Sequence, residues 1–260
     1  MLDCLCSAVG PTRAVIFDVD GTLLTDTIHQ DKHNFIISQV LRRPDLSISA
    51  EEWRGIRGLS DDGAYRYIAA KAATQTFALE TLLPEVTYLA MARDYVNDHI
   101  NDISVHPGVR EVFSAVEQCG LVMGVATNAD WPETERKLSR TGLAKYFHFF
   151  VCLDGVLAPK PAPDLYVRGI RLVRDIAGNN IEPEQVLAIE DTYVGALAAQ
   201  RAGCRVIMCL QDGRDVLVDD AIHDHRSVLI ANSIHDSIKY TTLRVSKTQL
   251  NLLKNFPHPL

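Results

Sequence analysis

Short apolar runs rich in β-branched residues recur along the chain: AVIF at 14–17, LVMGVAT at 121–127, YFHFFVCL at 146–153, VLAIE at 186–190, CRVIMCL at 204–210 and SVLIA at 227–231. Helical patterns such as GVREVFSAVEQCG and GALAAQRAG stand between most of them. Strands that are apolar throughout are covered on both faces, and strands alternating with helices build a parallel sheet. The pattern predicts an α/β fold with a doubly wound parallel sheet.

The first two runs are separated by about a hundred residues, far more than one crossover helix needs. That insert, roughly 26–104, contains no convincing strand run. SAEEWRGI opens with a capping box, Ser49 with Glu52. SDDGAYRYIAAKAAT starts on Ser60, and LPEVTYLAMARDYVNDHI has Pro84 near a helix start and a helical apolar period. We expect a separate domain of about four helices at 26–104, inserted into a core formed by 1–25 and 105–240. The last residues, 241–260, read as an appended helix or loose tail.

Composition narrows the function classes. The 260 residues carry a net charge of −7, and the mean hydropathy is +0.01. A nucleic-acid binder needs a basic face, so this balance argues against one. No apolar run approaches the ~18 residues of a membrane helix, and the N-terminus lacks the basic start of a signal peptide. The chain is expected to be cytoplasmic, with Cys119, Cys152, Cys204 and Cys209 as reduced thiols. Cys4-x-Cys6 has half the form of a metal site, but no second Cys or His pair stands at zinc-finger spacing.

Ligands of a parallel sheet bind at the carboxyl ends of its strands. The first run ends there on Asp18 and Asp20, in AVIFDVDGTLL. Carboxylates at i and i+2 of a strand converge, and they repel unless one is protonated or a cation lies between them. Asp20-Gly21 alone is a common turn signal. A calcium loop also begins D-x-D, but its twelfth position would be His29 rather than glutamate. The other strand ends add Thr127 and Asn128, then Lys160 between Pro159 and Pro161, then Glu190 and Asp191. Thr127 and Asn128 are neutral donors suited to phosphate oxygens, and the prolines restrict the backbone that aims Lys160. Carboxylates at this density suit a hard cation, Mg²⁺ above all.

D-x-D-G-T at Asp18–Thr22, the strand-end Thr127, K-P-x-P-D at Lys160–Asp164 and E-D-x-x-x-G at Glu190–Gly195 come in one order. That ordered set resembles the haloacid dehalogenase-like phosphohydrolases over residues 12 to about 235. The insert is similar to the α-helical cap of their phosphoglycolate phosphatase and β-phosphoglucomutase branch. The resemblance implies Asp18 as nucleophile, Asp20 as general acid and base, and Thr127, Asn128 and Lys160 as phosphate-binding residues. It further implies Mg²⁺ held by Asp18, the Asp20 carbonyl, Asp191 and Glu190, and a small phosphorylated metabolite as substrate.

The chain also departs from the branch. Pro159 precedes the lysine, where a small residue is usual. Asp26-Thr27 comes one residue late against the mutase pattern, with Asp31 following between His29 and His33. GIRGLSDDG resembles the branch's substrate loop, which gives Arg57 a reach to a substrate anion. Asp61 stands where mutases often place a basic residue. A mutase must grip a second phosphate, so these departures favour a phosphatase. A β-phosphoglucomutase-like mutase and a non-catalytic binding protein of the same fold are the alternatives.

Overall fold

The computed structural model describes residues 12–75, 78–153, 157–209, 228–231 and 233–234. Cys4, Cys6 and the 241–260 segment lie outside the described residues. β1 (Ala14–Phe17) is followed by five helices: α1 (Thr27–Ile36), α2 (Ala50–Ile56), α3 (Asp61–Thr74), α4 (Leu79–Leu82) and α5 (Glu85–Asp98). The chain then alternates: α6 (Val109–Gln118), β2 (Val122–Ala126), α7 (Trp131–Arg140), β3 (Phe149–Val151), α8 (Asp164–Ala177), β4 (Val186–Glu190), α9 (Tyr193–Arg201), β5 (Arg205–Cys209) and β6 (Val228–Ala231).

The six strands form one parallel sheet in the order β3-β2-β1-β4-β5-β6. Alternate residues of β1 feed the two faces of the sheet. Val15 and Phe17 pack with Phe113 of α6 and Leu138 of α7, while Ala14 and Ile16 pack with Tyr166 of α8 and Ala196 of α9. The sheet thus has a buried layer on each side, as its continuous apolar runs require. β3 is shorter than its run because it pairs only with Gly124–Ala126 of β2, at the edge of the sheet.

The register sets up the site. Phe17 is level with Val125 of β2 and Ile189 of β4, so all three strands end together. The chain leaves β1 toward β2 on one side, and β4 lies on the other. This reversal of strand order opens a crevice at the carboxyl ends.

The insert has its own apolar cluster, including Ile36, Leu46, Ile68, Leu79, Tyr88 and Ala92. Burying each of the large aliphatic side chains among them contributes roughly 1.5–3 kcal/mol. Ser49 caps α2 as the sequence predicts: Glu52 N donates to its Oγ at 3.2 Å, and Ser49 N donates to Glu52 Oε2 at 2.8 Å. Ser60 and Pro84 occupy the N-cap positions of α3 and α5. α1 runs on through a π-turn at Ile37–Leu41, which the sequence pattern does not announce.

Candidate active site

A cavity of about 280 Å³ lies between the strand ends and the insert. Its walls include Asp18, Asp20, Arg57, Thr127, Asn128, Lys160 and Asp191, so the residues singled out from sequence, Glu190 aside, all face one space. Glu190 is fully buried directly behind it, bonded to Lys160.

Asp18 follows the last residue of β1 and is buried. Lys160 Nζ donates to Asp18 Oδ1 at 2.6 Å, to Glu190 Oε1 at 2.6 Å and to the Ala126 carbonyl at 2.8 Å. The hydroxyl of Tyr166 also donates to Glu190 Oε1. Lys160 is only 3% exposed, so this is a fixed cation rather than a solvated surface lysine. Burial pushes the Asp18 carboxyl above its ordinary range; Lys160 opposes that and nearby Asp20 adds to it. Burial raises Glu190 to about 7, again against Lys160. Burial would lower Lys160, but the charges of Asp18 and Glu190 outweigh it and keep the ammonium protonated.

Asp20 is held by a different lysine, one the sequence reading missed. Lys137 Nζ donates to Asp20 Oδ1 at 2.8 Å and Oδ2 at 3.0 Å, and also to Glu133 one turn back on α7. His29 Nε2 lies 3.3 Å from Asp20 Oδ1. Burial alone would raise Asp20; Lys137 and His29 overcome it and hold the carboxyl well below its ordinary range. The sequence reading has the two aspartates converge as i and i+2 of a strand. The strand in fact ends at Phe17, and each carboxylate has its own buried ammonium. The available signal was Glu133 and Lys137 at i, i+4, with the lysine on the stripe that buries Thr134 and Leu138.

Asp191 is buried immediately after β4. Thr22 Oγ1 donates to its Oδ1 at 3.3 Å, which gives the threonine of D-x-D-G-T a structural task. Arg57 Nη2 donates to the Asp191 carbonyl at 2.6 Å and lies 3.2 Å from its Oδ2. Burial pushes Asp191 well upward; Arg57 opposes, and Asp18, Asp26 and Glu190 add to it. Arg57 is therefore engaged with the β4 end.

The donor set fits a hard cation. Carboxylate oxygens of Asp18, Glu190 and Asp191 all lie within 4.8 Å of one another. Glu190 Oε2 and Asp191 Oδ2 are buried and accept no hydrogen bond, Asp191 Oδ2 having only the ion pair with Arg57 at 3.2 Å, a costly arrangement that a bound cation would relieve. Two glycines make room for these groups. A Cβ on Gly21, where φ is +88°, would stand 2.1 Å from Asp191 Oδ2, and one on Gly195 would stand 2.0 Å from Glu190 Oε2.

Thr127 is buried at the end of β2, where its Oγ1 accepts from Ala129 N at 3.1 Å and keeps its own proton to donate. Asn128 acts as a strut: its Nδ2 donates to Gly58 O at 2.8 Å and its Oδ1 accepts from Lys160 N at 2.9 Å. It thereby links the insert to the lysine loop. On the insert wall, Lys32 Nζ donates to Asp61 Oδ1 at 2.6 Å, and His33 is buried against Tyr88.

A model of the haloacid dehalogenase-like hydrolases matches residues 15–209. The chain is 32% identical to N-acetylmuramic acid 6-phosphate phosphatase of Pseudomonas aeruginosa, over 74% of this chain and 79% of that one. Two solved structures share the fold. CbbY from Rhodobacter sphaeroides in complex with phosphate has a TM-score of 0.66 at 21% identity, covering 86% of this chain and 96% of that one. β-Phosphoglucomutase from Clostridium difficile has 0.68 at 16%, covering 89% and 97%. No helix among the described residues is long and apolar enough to cross a membrane.

Proposed function

The chain belongs to the haloacid dehalogenase-like hydrolase family and is a phosphoric monoester hydrolase, and we propose that it is a Mg²⁺-dependent phosphatase working through a phosphoryl group on Asp18. The observation that carries this reading is Asp18 itself: a buried carboxylate fixed by Lys160, beside Glu190 and Asp191, which each keep a buried oxygen that accepts no hydrogen bond. Asp18, Glu190, Asp191 and the Asp20 carbonyl would hold Mg²⁺, which when bound offsets the negative charge of the phosphoryl oxygens.

In the first half-reaction an Asp18 oxygen attacks phosphorus and the bond to the leaving oxygen breaks. That oxygen takes a proton through Asp20, which is held ionised in the free site and first accepts it from the bound phosphate monoanion. In the second half, water attacks the same phosphorus, its proton passes to Asp20, and the bond to Asp18 breaks to release phosphate. Lys160, the Thr127 hydroxyl and the main-chain amides near Asn128 stabilise the transferring oxygens. The three hydrogen bonds of Lys160 engage all of its N–H groups and fix the ammonium beside Asp18, so it acts on these oxygens through its charge.

A phosphatase is favoured over a mutase by the insert wall. Lys32 is paired with Asp61, Arg57 with Asp191 and Arg93 with Asp130. A second phosphate would have to displace one of these carboxylates. The substrate is a small phosphorylated metabolite, consistent with a cavity of about 280 Å³ and with the phosphatase similarity described above. The acidic balance gives no footing for nucleic acid, and we place the enzyme in the cytoplasm. The test is hydrolysis of para-nitrophenyl phosphate and a panel of phosphorylated metabolites. Activity should vanish with EDTA and return with Mg²⁺; equal turnover in chelator would refute the metal assignment.

A further inference from the structure

We infer that Lys137 is a positioning residue that holds the Asp20 carboxylate for proton transfer; this rests on the assignment of Asp20 as the proton carrier. Lys137 is 1% exposed on the inward stripe of α7, beside the fully buried Leu138. A methionine or leucine there would bury apolar surface without desolvating an ammonium, which is costly even when paired. Packing alone therefore does not account for a lysine at this position.

What the lysine touches does. Its Nζ is within 2.8 Å of Asp20 Oδ1 and 3.0 Å of Oδ2, so both oxygens are gripped and the carboxylate plane is fixed. Its other partner, Glu133, is buried and reaches it from one helical turn away, which fixes the ammonium in turn. The site thus contains two parallel chains, Asp18–Lys160–Glu190 and Asp20–Lys137–Glu133. Asp18 and Asp20 are two positions apart and repel. Without Lys137, Asp20 would keep only His29, near one oxygen at 3.3 Å, against Asp18 on one side and Glu133 on the other. It would then be free to swing from the leaving oxygen, and a displacement of about 1 Å costs roughly 10²-fold in rate.

A double-mutant cycle separates positioning from mere support of the fold. The variants Lys137→Met, Asp20→Asn and the double would be made in the full chain and assayed on para-nitrophenyl phosphate with Mg²⁺. Lys137→Met should lower kcat by about 10²-fold with KM unchanged. In the Asp20→Asn background the same substitution should change kcat by no more than about 2-fold, because the group it positions is gone. A loss of equal size in both backgrounds, or an unchanged kcat, would overturn the inference. Lys137→Met leaves Glu133 unpaired, so Lys137→Met/Glu133→Gln repeats the cycle without that charge. Insolubility of both forms would assign Lys137 to folding and overturn the inference as well. If Asp20→Asn alone turns over at the wild-type rate, the assignment of Asp20 has failed, a result distinct from either of these.

Discussion

Arg57 Nη2 donates a 2.6 Å hydrogen bond to the main-chain oxygen of Asp191, 134 residues away. Asn128 reaches the next residue of the same loop, Gly58, from the end of β2. These two contacts tie the α2–α3 loop of the insert across the mouth of the sheet.

Loss of that tie should weaken binding of substrates that extend to the insert wall. Arg57→Ala is expected to raise KM several-fold for the best substrate of a metabolite panel, and less for para-nitrophenyl phosphate, which needs only the phosphoryl end. Lost uniform binding shows in KM. Parallel losses on both substrates would place the role of Arg57 on Asp191 rather than on the substrate.

Gly195 carries a prediction about the metal carboxylates. At the third position of α9 an alanine would ordinarily gain helix propensity, up to about 1 kcal/mol. Here its Cβ would stand 2.0 Å from Glu190 Oε2, so the carboxylate must move. Gly195→Ala should remain folded yet bind Mg²⁺ at least about tenfold more weakly by calorimetry. Unchanged affinity would remove Glu190 from the ligand set.

His33 should make the protein acid-sensitive through the insert. Burial, aided by the Lys32 charge and opposed by Asp61, lowers its pKa from 6.5 to about 3. The unfolded chain therefore binds a proton in this window and the folded one does not. The stabilisation is complete above pH 6.5 and falls as the pH drops toward 3, with about 2 kcal/mol lost by pH 5. Asp61, held low against its own burial by Lys32 and His33, loses stability in the same direction, but only below its ordinary carboxyl range. Urea midpoints at pH 7, 6 and 5 should fall in the wild type and stay flatter in His33→Gln. Equal slopes would assign the acid response to other groups.

The sheet was legible because its strands are apolar on both faces, which leaves few alternatives to a parallel core. Asp18, Asp20, Lys160, Glu190 and Asp191 were legible because they end such strands or sit in a proline-bounded loop. Lys137 was not, since a lysine in mid-helix ordinarily faces water, and only tertiary burial shows that it does not. Arg57 was read as able to reach a substrate anion, and its engagement with the β4 end depends on how the insert packs, which local pattern does not encode. The roles of Thr22 and Tyr166 as partners of Asp191 and Glu190 likewise depend on contacts far apart in sequence.

The central claim is that the two aspartates divide the chemistry, one as nucleophile and one as proton carrier. An aryl phosphate with a good leaving group needs little protonation, so it should still phosphorylate Asp18 when Asp20 is replaced. Release of the phosphoryl group needs the base, so the adduct should persist. Intact-protein mass spectrometry of Asp20→Asn after mixing with para-nitrophenyl phosphate and Mg²⁺ should therefore show one added phosphoryl group, and Asp18→Asn should show none. An adduct that forms equally in both variants would contradict the assignment of Asp18 as the nucleophile.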